Sequence, residues 1–346
     1  MKVLILGGVA AGTKAAAKLK REMPDAQVTI LTRGKDISYA GCGLPYYVGG
    51  AIASRAALVV NSPEQFSGLT GAEVLTGREA FKVNPEARAV LARNLETGAE
   101  ERYEYDELII AVGASASVPP LEGVGLKGVF TMRTPDDAVA ARDYIDQTGA
   151  RRAVVIGGGF IGLELAENLK AKGLTVTVVE ALPQIMSNVL DPEMADYARK
   201  QLVKAGIRVL TGTTASKFSG DEKVQSVATS AGVLPADVVV LSVGVKPNTA
   251  FLNGTGLEMN RGTILVDSRM RTNLAHIYAA GDCAQVTNRL TGAGQWSPMG
   301  SSANLEARVL AEDLAGGNKA FPGVLGTAVV KLLDNLNCGR TGLTEA

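Results

Sequence analysis

The chain has 346 residues, enough for two buried cores, and 46% of them are hydrophobic, as in a folded globular protein. Thirty-five basic residues balance thirty-five acidic ones, so no long-range field draws the chain to nucleic acid or to an anionic membrane, and any anion site must be local. Its three cysteines, Cys42, Cys283 and Cys338, are too widely spaced for a disulfide framework or a zinc ligand set, which suits a reducing, cytoplasmic setting.

The first expected strand is the apolar run Val3–Leu6, followed by the glycines of GGVAAG and a helix-forming stretch. A basic residue, an apolar run and then alanines also describe a secretory signal. The same pattern recurs at Ala153, however, and Lys14, Lys18, Lys20 and Arg21 continue it as an amphipathic helix, so a strand, turn and helix are expected instead. No other stretch reaches the roughly 18 uncharged residues of a membrane span. Backbone N–H groups in such a turn, with the N-terminus of the following helix, can hold a pyrophosphate. Gly7 and Gly12 fill the first and third positions of G-x-G-x-x-G, while Val9 holds the middle one. After the second strand, Val28–Leu31, stands Thr32-Arg33 rather than an acidic residue. A threonine hydroxyl bonds a ribose less strongly than a carboxylate does, and Thr-Arg also suits a 2′-phosphate, so this turn alone leaves flavin and nicotinamide both open.

About ten residues past the second strand, in ISYAGCGLPYY, stands Cys42. Flanking Gly41 and Gly43 are expected to leave the Cys42 sulfur open to a flat ring and a substrate, and Pro45 fits the first turn of a helix. A helix N-terminus favours negative charge, and the thiolate is the reactive form of cysteine. Buried packing is the ordinary role of a lone cysteine; the two glycines favour a reactive one.

A third apolar strand, Leu108–Val112, ends at Gly113. The chain then repeats itself: AVVIGGGFIGLELAENLKAKGLTVTVVEA lies over the first 31-residue unit as strand, glycine turn, helix and strand. Here Gly157, Gly159 and Gly162 complete G-x-G-x-x-G, and Glu180 closes the strand Thr175–Val179. A carboxylate there accepts from a ribose 2′-hydroxyl and repels a 2′-phosphate, and Ala181-Leu182-Pro183 offers no arginine, so NADH is expected over NADPH. The strand Val238–Val243 ends at Gly244, and HIYAAGDCA ends at Gly281-Asp282, which suggests a return to the first domain. A carboxylate at that strand end can bond the ribityl hydroxyls of FAD, a chain that nicotinamide cofactors lack; this decides for FAD at the first turn.

Taken together, GGVAAG, SYAGCGLPYY, the complete second turn, AVGA, VGVKPN and AAGDCA resemble the FAD-dependent pyridine nucleotide–disulfide oxidoreductases, in particular the coenzyme A disulfide reductase and NADH oxidase branch, over nearly the whole chain. Relatives with C-x-x-x-x-C carry a second cysteine where this chain has Tyr47, so the resemblance implies that Cys42 cycles through a mixed disulfide with coenzyme A. It implies FAD contacts at Gly7, Val9, Ala10, Ala11, Gly12, Thr32, Arg33, Ala80, Gly113, Gly281 and Asp282. Nicotinamide contacts fall at Gly157, Gly159, Phe160, Ile161, Gly162, Glu164, Glu180 and Gly244, with Phe160 as an aromatic gate and Glu164 near the nicotinamide amide. Lys14, Lys18 and Arg21, spaced on one helix face, join Ser38, Gly41 and Asn304 as coenzyme A positions. Thr70 and Leu305 depart from usually basic positions, favouring a persulfide or polysulfide as substrate. Peroxide-handling relatives place a histidine where this chain has Ala10, and the one histidine, His276, is read as structural.

The expectation is an α/β protein of two Rossmann-like domains, the second inserted in the first: FAD-binding residues 1–114 and 243–320, NAD-binding residues 115–242, and in 321–346 the start of a dimerisation domain, absent or cut short. Its expected activity is NADH-dependent reduction of coenzyme A disulfide or a persulfide, as a homodimer in the complete protein. Two alternatives stay open: an NADH oxidase or peroxidase using a Cys42 sulfenic acid, and a non-catalytic redox sensor or electron-transfer module.

Overall fold

A computed structural model describes residues 1–345. The α-helices run in chain order as α1 Ala10–Glu22, α2 Leu44–Gly49, α3 Pro63–Thr70, α4 Pro135–Thr148, α5 Phe160–Ala171, α6 Pro192–Lys204 and α7 Gly300–Leu314. None of the described helices is long and apolar enough to cross a membrane. The chain folds into two units, each around its own sheet.

In the first unit, Lys2–Leu6 pairs in parallel with Gln27–Thr32 on one side and Glu107–Ile110 on the other. Glu73–Thr76 and Ile277–Ala279 form the two edges. The buried runs Val3–Leu6 and Leu108–Ile110 are continuously apolar because both faces of the sheet are covered. The expected return of the chain is the parallel pairing of Ile277–Ala279 with Glu107–Ile110.

The second unit repeats this order for four of its strands, while its fifth, Val129–Thr131, precedes the glycine turn in sequence. Arg152–Ile156 lies between Thr175–Val179 and Val238–Leu241, with Arg208–Leu210 and Val129–Thr131 at the edges, all parallel. In both sheets the strand order reverses beside the strand that leads into the glycine turn, and ligands of doubly wound sheets sit at the carboxyl ends of strands at such a point. These are the two Rossmann-like sheets expected from the repeat.

Apart from shifts of up to five residues at the boundaries, the division of the chain differs from the expected one in two places. Residues Ala40–Leu58, expected in the FAD-binding segment 1–114, and the stretch from Gly326 onward, expected to begin another domain, both group with the second unit. The cause is apolar packing. Leu44, Tyr47, Val48 and Leu58 are buried in one core with Leu163, Leu169 and Val178, and so are Val330, Leu332, Leu336 and Cys338 of the hairpin formed by Ala328–Leu333 and Leu336–Arg340. Full burial of such side chains contributes roughly 1.5–3 kcal/mol each, which draws the segments to that core whatever their place in sequence.

Candidate active site

The two glycine turns have nearly the same construction. Gly7 has φ +109°, and a Cβ there would lie 2.1 Å from the carbonyl oxygen of Ala111; Gly157 has φ +112°, and a Cβ would lie 2.3 Å from that of Ser242. A Cβ on Gly12 would fall 1.8 Å from the Gly7 oxygen, and one on Gly162 2.1 Å from the Gly157 oxygen. These four positions admit only glycine, because Gly7 and Gly157 press on the end of the neighbouring strand and Gly12 and Gly162 bring the helix start against the preceding strand end. Middle positions are looser: a Cβ on Gly159 meets nothing within 4 Å, which is why Val9 is tolerated at the equivalent place.

Neither α1 nor α5 has a side-chain cap or an acidic residue in its first turn, so their leading N–H groups stay open to an anion. By contrast, α3 and α4 close theirs with Ser62–Gln65 and Thr134–Asp137 capping boxes. Ala10 and Ala11 begin α1, and Phe160 and Ile161 begin α5, Ile161 being exposed.

Surroundings distinguish the turns. Glu180 accepts from Gly158 N–H at 2.6 Å and from Leu182 N–H at 2.8 Å, so it braces its own glycine turn while each oxygen keeps a lone pair for a ribose hydroxyl. In the first unit Thr32 is buried against Gly8, and Arg33 pairs with Glu79 at 3.5 Å on the surface. Negative charge comes instead from the returning strand, where Gly281 (φ +80°) precedes Asp282. Gly281 N–H donates to Glu306 Oε2 at 2.7 Å, and Trp296 Nε1 donates to the Asp282 carbonyl at 2.9 Å. Gly113 and Gly244 both take left-handed conformations just past their strands, and Ala80 lies at an irregularity of the strand Arg78–Asn84.

Cys42 is exposed, in a 3-10 turn Gly41–Gly43 that leads directly into α2, with Pro45 in the first turn of that helix as expected. Cys283 and Cys338 are buried, and burial pushes the Cys283 thiol up to about 12. Gly41 is open, with nothing within 4 Å of an added Cβ. Gly43 is small for a different reason from the one expected: a Cβ there would press on Ile52 at 3.0 Å and Leu58 at 3.1 Å, so it serves packing rather than access to sulfur.

Helix α2 is bound tightly into the second unit. A Cβ on Gly49 would lie 2.7 Å from Asn168 Cβ of α5. From α4, Arg142 Nη1 donates to the carbonyls of Tyr47, Ile52 and Ala53 at 3.2, 3.1 and 3.2 Å, and its guanidinium stacks 4.6 Å from the Tyr47 ring centre. Tyr46 Oη donates to Glu164 Oε1 at 3.4 Å. Burial lifts the Glu164 carboxyl to about 7, with the charge of Glu167 adding and the Tyr46 bond opposing. A carboxyl near 7 can hold or release a proton at neutral pH.

Of the expected coenzyme A positions, Lys14 has its ammonium lowered, by burial first and then by the charges of Arg308 of α7 and of Arg21. Lys18 is paired with Glu22 at 2.5 Å. Asn304 donates to the Gly300 carbonyl, and Ser38 sits at φ +49°. Thr70 bonds the Phe66 carbonyl and Leu305 is exposed. His276 Nδ1 lies 2.9 Å from Glu107 Oε1. Sequence reasoning missed Glu306, Trp296, Arg142 and Arg308. Glu306 alone carried a signal, a carboxylate in an apolar stripe with Ala303, Ala307 and Leu310 at helical spacing.

The profile of the pyridine nucleotide-disulphide oxidoreductase family matches residues 1–298. The chain is 36% identical over 344 residues to an NADH oxidase of Methanocaldococcus jannaschii, covering 99% of this chain and 76% of that protein. It is 37% identical over 345 residues to an NAD(P)H coenzyme A polysulfide/persulfide reductase of Pyrococcus horikoshii, again covering 99% and 76%. Among solved structures, an NAD-dependent persulfide reductase from A. fulgidus superposes with a TM-score of 0.96 at 37% identity, over 100% of this chain and 64% of that one. The chain therefore spans about three quarters of these two relatives and under two thirds of that solved chain. With two glycine turns on repeated parallel sheets and an exposed cysteine between them in sequence, the chain belongs to the pyridine nucleotide-disulphide oxidoreductase family.

Proposed function

We propose that the chain is an NADH-dependent flavoprotein that reduces coenzyme A disulfide or a coenzyme A persulfide or polysulfide through Cys42. The observation that carries this reading is that Cys42 alone of the three thiols is exposed, on a segment with no second cysteine to close an internal disulfide. The uncapped α1 N-terminus and the Gly7 and Gly12 close approaches fit the pyrophosphate of FAD, and the Gly281-Asp282 turn fits its ribityl hydroxyls. FAD, when bound, supplies the two-electron relay between a hydride donor and a thiol. Glu180 selects the unphosphorylated ribose of NADH, and Phe160, Ile161 and Glu164 stand at the start of the helix that follows the same turn.

The Cys42 thiolate attacks one sulfur of the substrate R–S–S–R′. A Cys42–S–S–R bond forms, the substrate S–S bond breaks, and R′S⁻ leaves. Two electrons originating in NADH then cleave the mixed disulfide, returning the Cys42 thiolate and releasing RS⁻. In sum, NADH, one proton and RSSR′ give NAD⁺, RSH and R′SH. Thiolates are good leaving groups, so the chemistry proceeds without a histidine acid. Lys14, Arg21, Ser38 and Asn304 are proposed to receive the coenzyme A moiety. The proposal extends to a homodimer in the cytoplasm, where an exposed thiol stays reduced.

Mass spectrometry of the protein as isolated tests the substrate directly: a Cys42 adduct of coenzyme A mass is expected. Cys42→Ser should lower disulfide reductase activity by at least about a hundredfold, and full activity in that variant would refute the mechanism. The oxidase reading is supported by the name of the Methanocaldococcus relative. Oxygen consumption that outpaces disulfide reduction would favour it.

A further inference from the structure

The Gly281-Asp282 turn is held by side chains remote in sequence. Gly281 is packed so that an added Cβ would lie 3.1 Å from Ala11 Cβ and 3.5 Å from Ala303 Cβ, which sets the turn against the starts of α1 and α7. Its N–H is taken by Glu306, whose side chain is 1% exposed on the apolar stripe of α7. On the packed strand end, the charge of Asp282 acts on Glu306, and Glu306 in turn acts on the buried thiol of Cys283. Glu306 has no ion-pair partner within the described residues, whereas the other buried acid of α7, Asp313, has Arg269 and Arg271. A buried carboxyl without a cation is costly as an anion and tolerable as a neutral acid. Burial accordingly lifts it to about 7, opposed by the Gly281 bond and helped by the Asp282 charge.

We propose that Glu306 is a positioning residue that fixes the Gly281-Asp282 turn for FAD and takes up a proton when FAD binds. The inference rests on the reading of the first glycine turn as a flavin site. Binding brings a dianionic pyrophosphate to the neighbouring turn and seals the strand end from water. Both changes disfavour a charged Glu306, so its carboxyl is more basic in the complex than in the free protein. The neutral acid still accepts from Gly281 N–H through its carbonyl oxygen, so the turn keeps its shape without the charge. Where free Glu306 is ionised, binding consumes a proton and FAD affinity falls as pH rises.

Titrating FAD into flavin-free protein from about pH 5.5 to about pH 8.5, with flavin fluorescence as the readout, tests this. The wild-type Kd should rise on the order of tenfold across that range, one proton per site giving up to tenfold per pH unit. Glu306→Gln keeps an amide oxygen for Gly281 N–H and cannot ionise; its Kd should be flat with pH and match the wild-type value at the acid end. Glu306→Leu fills the space without an acceptor and should bind FAD about tenfold more weakly at every pH. A pH-independent wild-type Kd, or a Glu306→Gln variant that keeps the wild-type slope, would overturn the inference while leaving the flavin reading intact. Wild-type protein that binds no FAD at any pH would sink both.

Discussion

At the end of its second strand the first unit has Thr32, buried against its glycine turn, while the second has Glu180, whose carboxylate braces Gly158. In the first unit the carboxylates arrive from the other side of the sheet, on the returning strand and on α7. The backbone cradle is common to both, with matching order of four strands and matching close approaches at Gly7, Gly12, Gly157 and Gly162. What differs is where negative charge sits around it. Under the proposed function the turn holds a pyrophosphate and the flanking acids choose which nucleotide carries it.

The comparison breaks most sharply at the glycines. Gly12→Ala drives a Cβ to 1.8 Å from the Gly7 oxygen and Gly162→Ala to 2.1 Å from the Gly157 oxygen, and backbone cannot yield cheaply. Gly12→Ala should abolish FAD retention and leave nicotinamide binding, and Gly162→Ala should do the reverse, each with a loss on the order of a hundredfold or more in Kd, since misplacement by about an ångström costs that much. Loss of both cofactors from either variant would show that the units do not bind independently.

A smaller effect is expected at the second-strand positions. Glu180→Ala should lower kcat/KM for NADH about 10- to 100-fold, the worth of a charge-assisted hydrogen bond, and erase the preference over NADPH. Thr32→Ala should change FAD affinity by less than about fivefold, the worth of a neutral hydrogen bond at most. Equal losses at the two positions would contradict the assignment of the discriminating charge to Glu180 alone.

The smallest effect concerns stability. Glu164 holds its proton up to about pH 7 in the folded protein, whereas the unfolded chain loses it near the ordinary value of 4.5. The folded state therefore binds more protons between those limits, and stability falls as pH rises from about 4.5 to about 7, then levels. Glu164→Gln removes this dependence, so its melting temperature should gain on the wild type between about pH 5 and about pH 8. A gap that stays constant across that window would argue that Glu164 is already ionised in the fold.

Local patterns made the glycine turns, Glu180, Asp282 and Cys42 legible, because each depends on a few neighbouring residues and a backbone that only glycine permits. The parallel sheets were legible for the same reason: Val3–Leu6 and Ala153–Ile156 read as apolar runs because nothing polar fits between two covered faces. The allegiance of residues 40–58 was not, since it is decided by Leu163 and Val178 more than a hundred residues later. Glu306 and Trp296 were missed for a similar reason. Each meets its partner across 25 and 14 residues, and no rule of spacing links a helix or strand side chain to a backbone group that far away.

Arg142 and the buried face of α2 have a consequence for dissection of the molecule. A contiguous fragment covering 116–245 would carry the second sheet but leave behind Leu44, Tyr47, Val48 and Leu58, along with the three carbonyls that Arg142 satisfies. Such an excised piece would present a bare apolar groove and leave Arg142 with only Asp146 at 3.8 Å, so it should self-associate rather than stand alone. The polypeptide passes from one unit to the other between Tyr39 and Ala40 and back between Leu58 and Val59, so Cys42 belongs to the unit that residues 1–39 and 59–115 do not join.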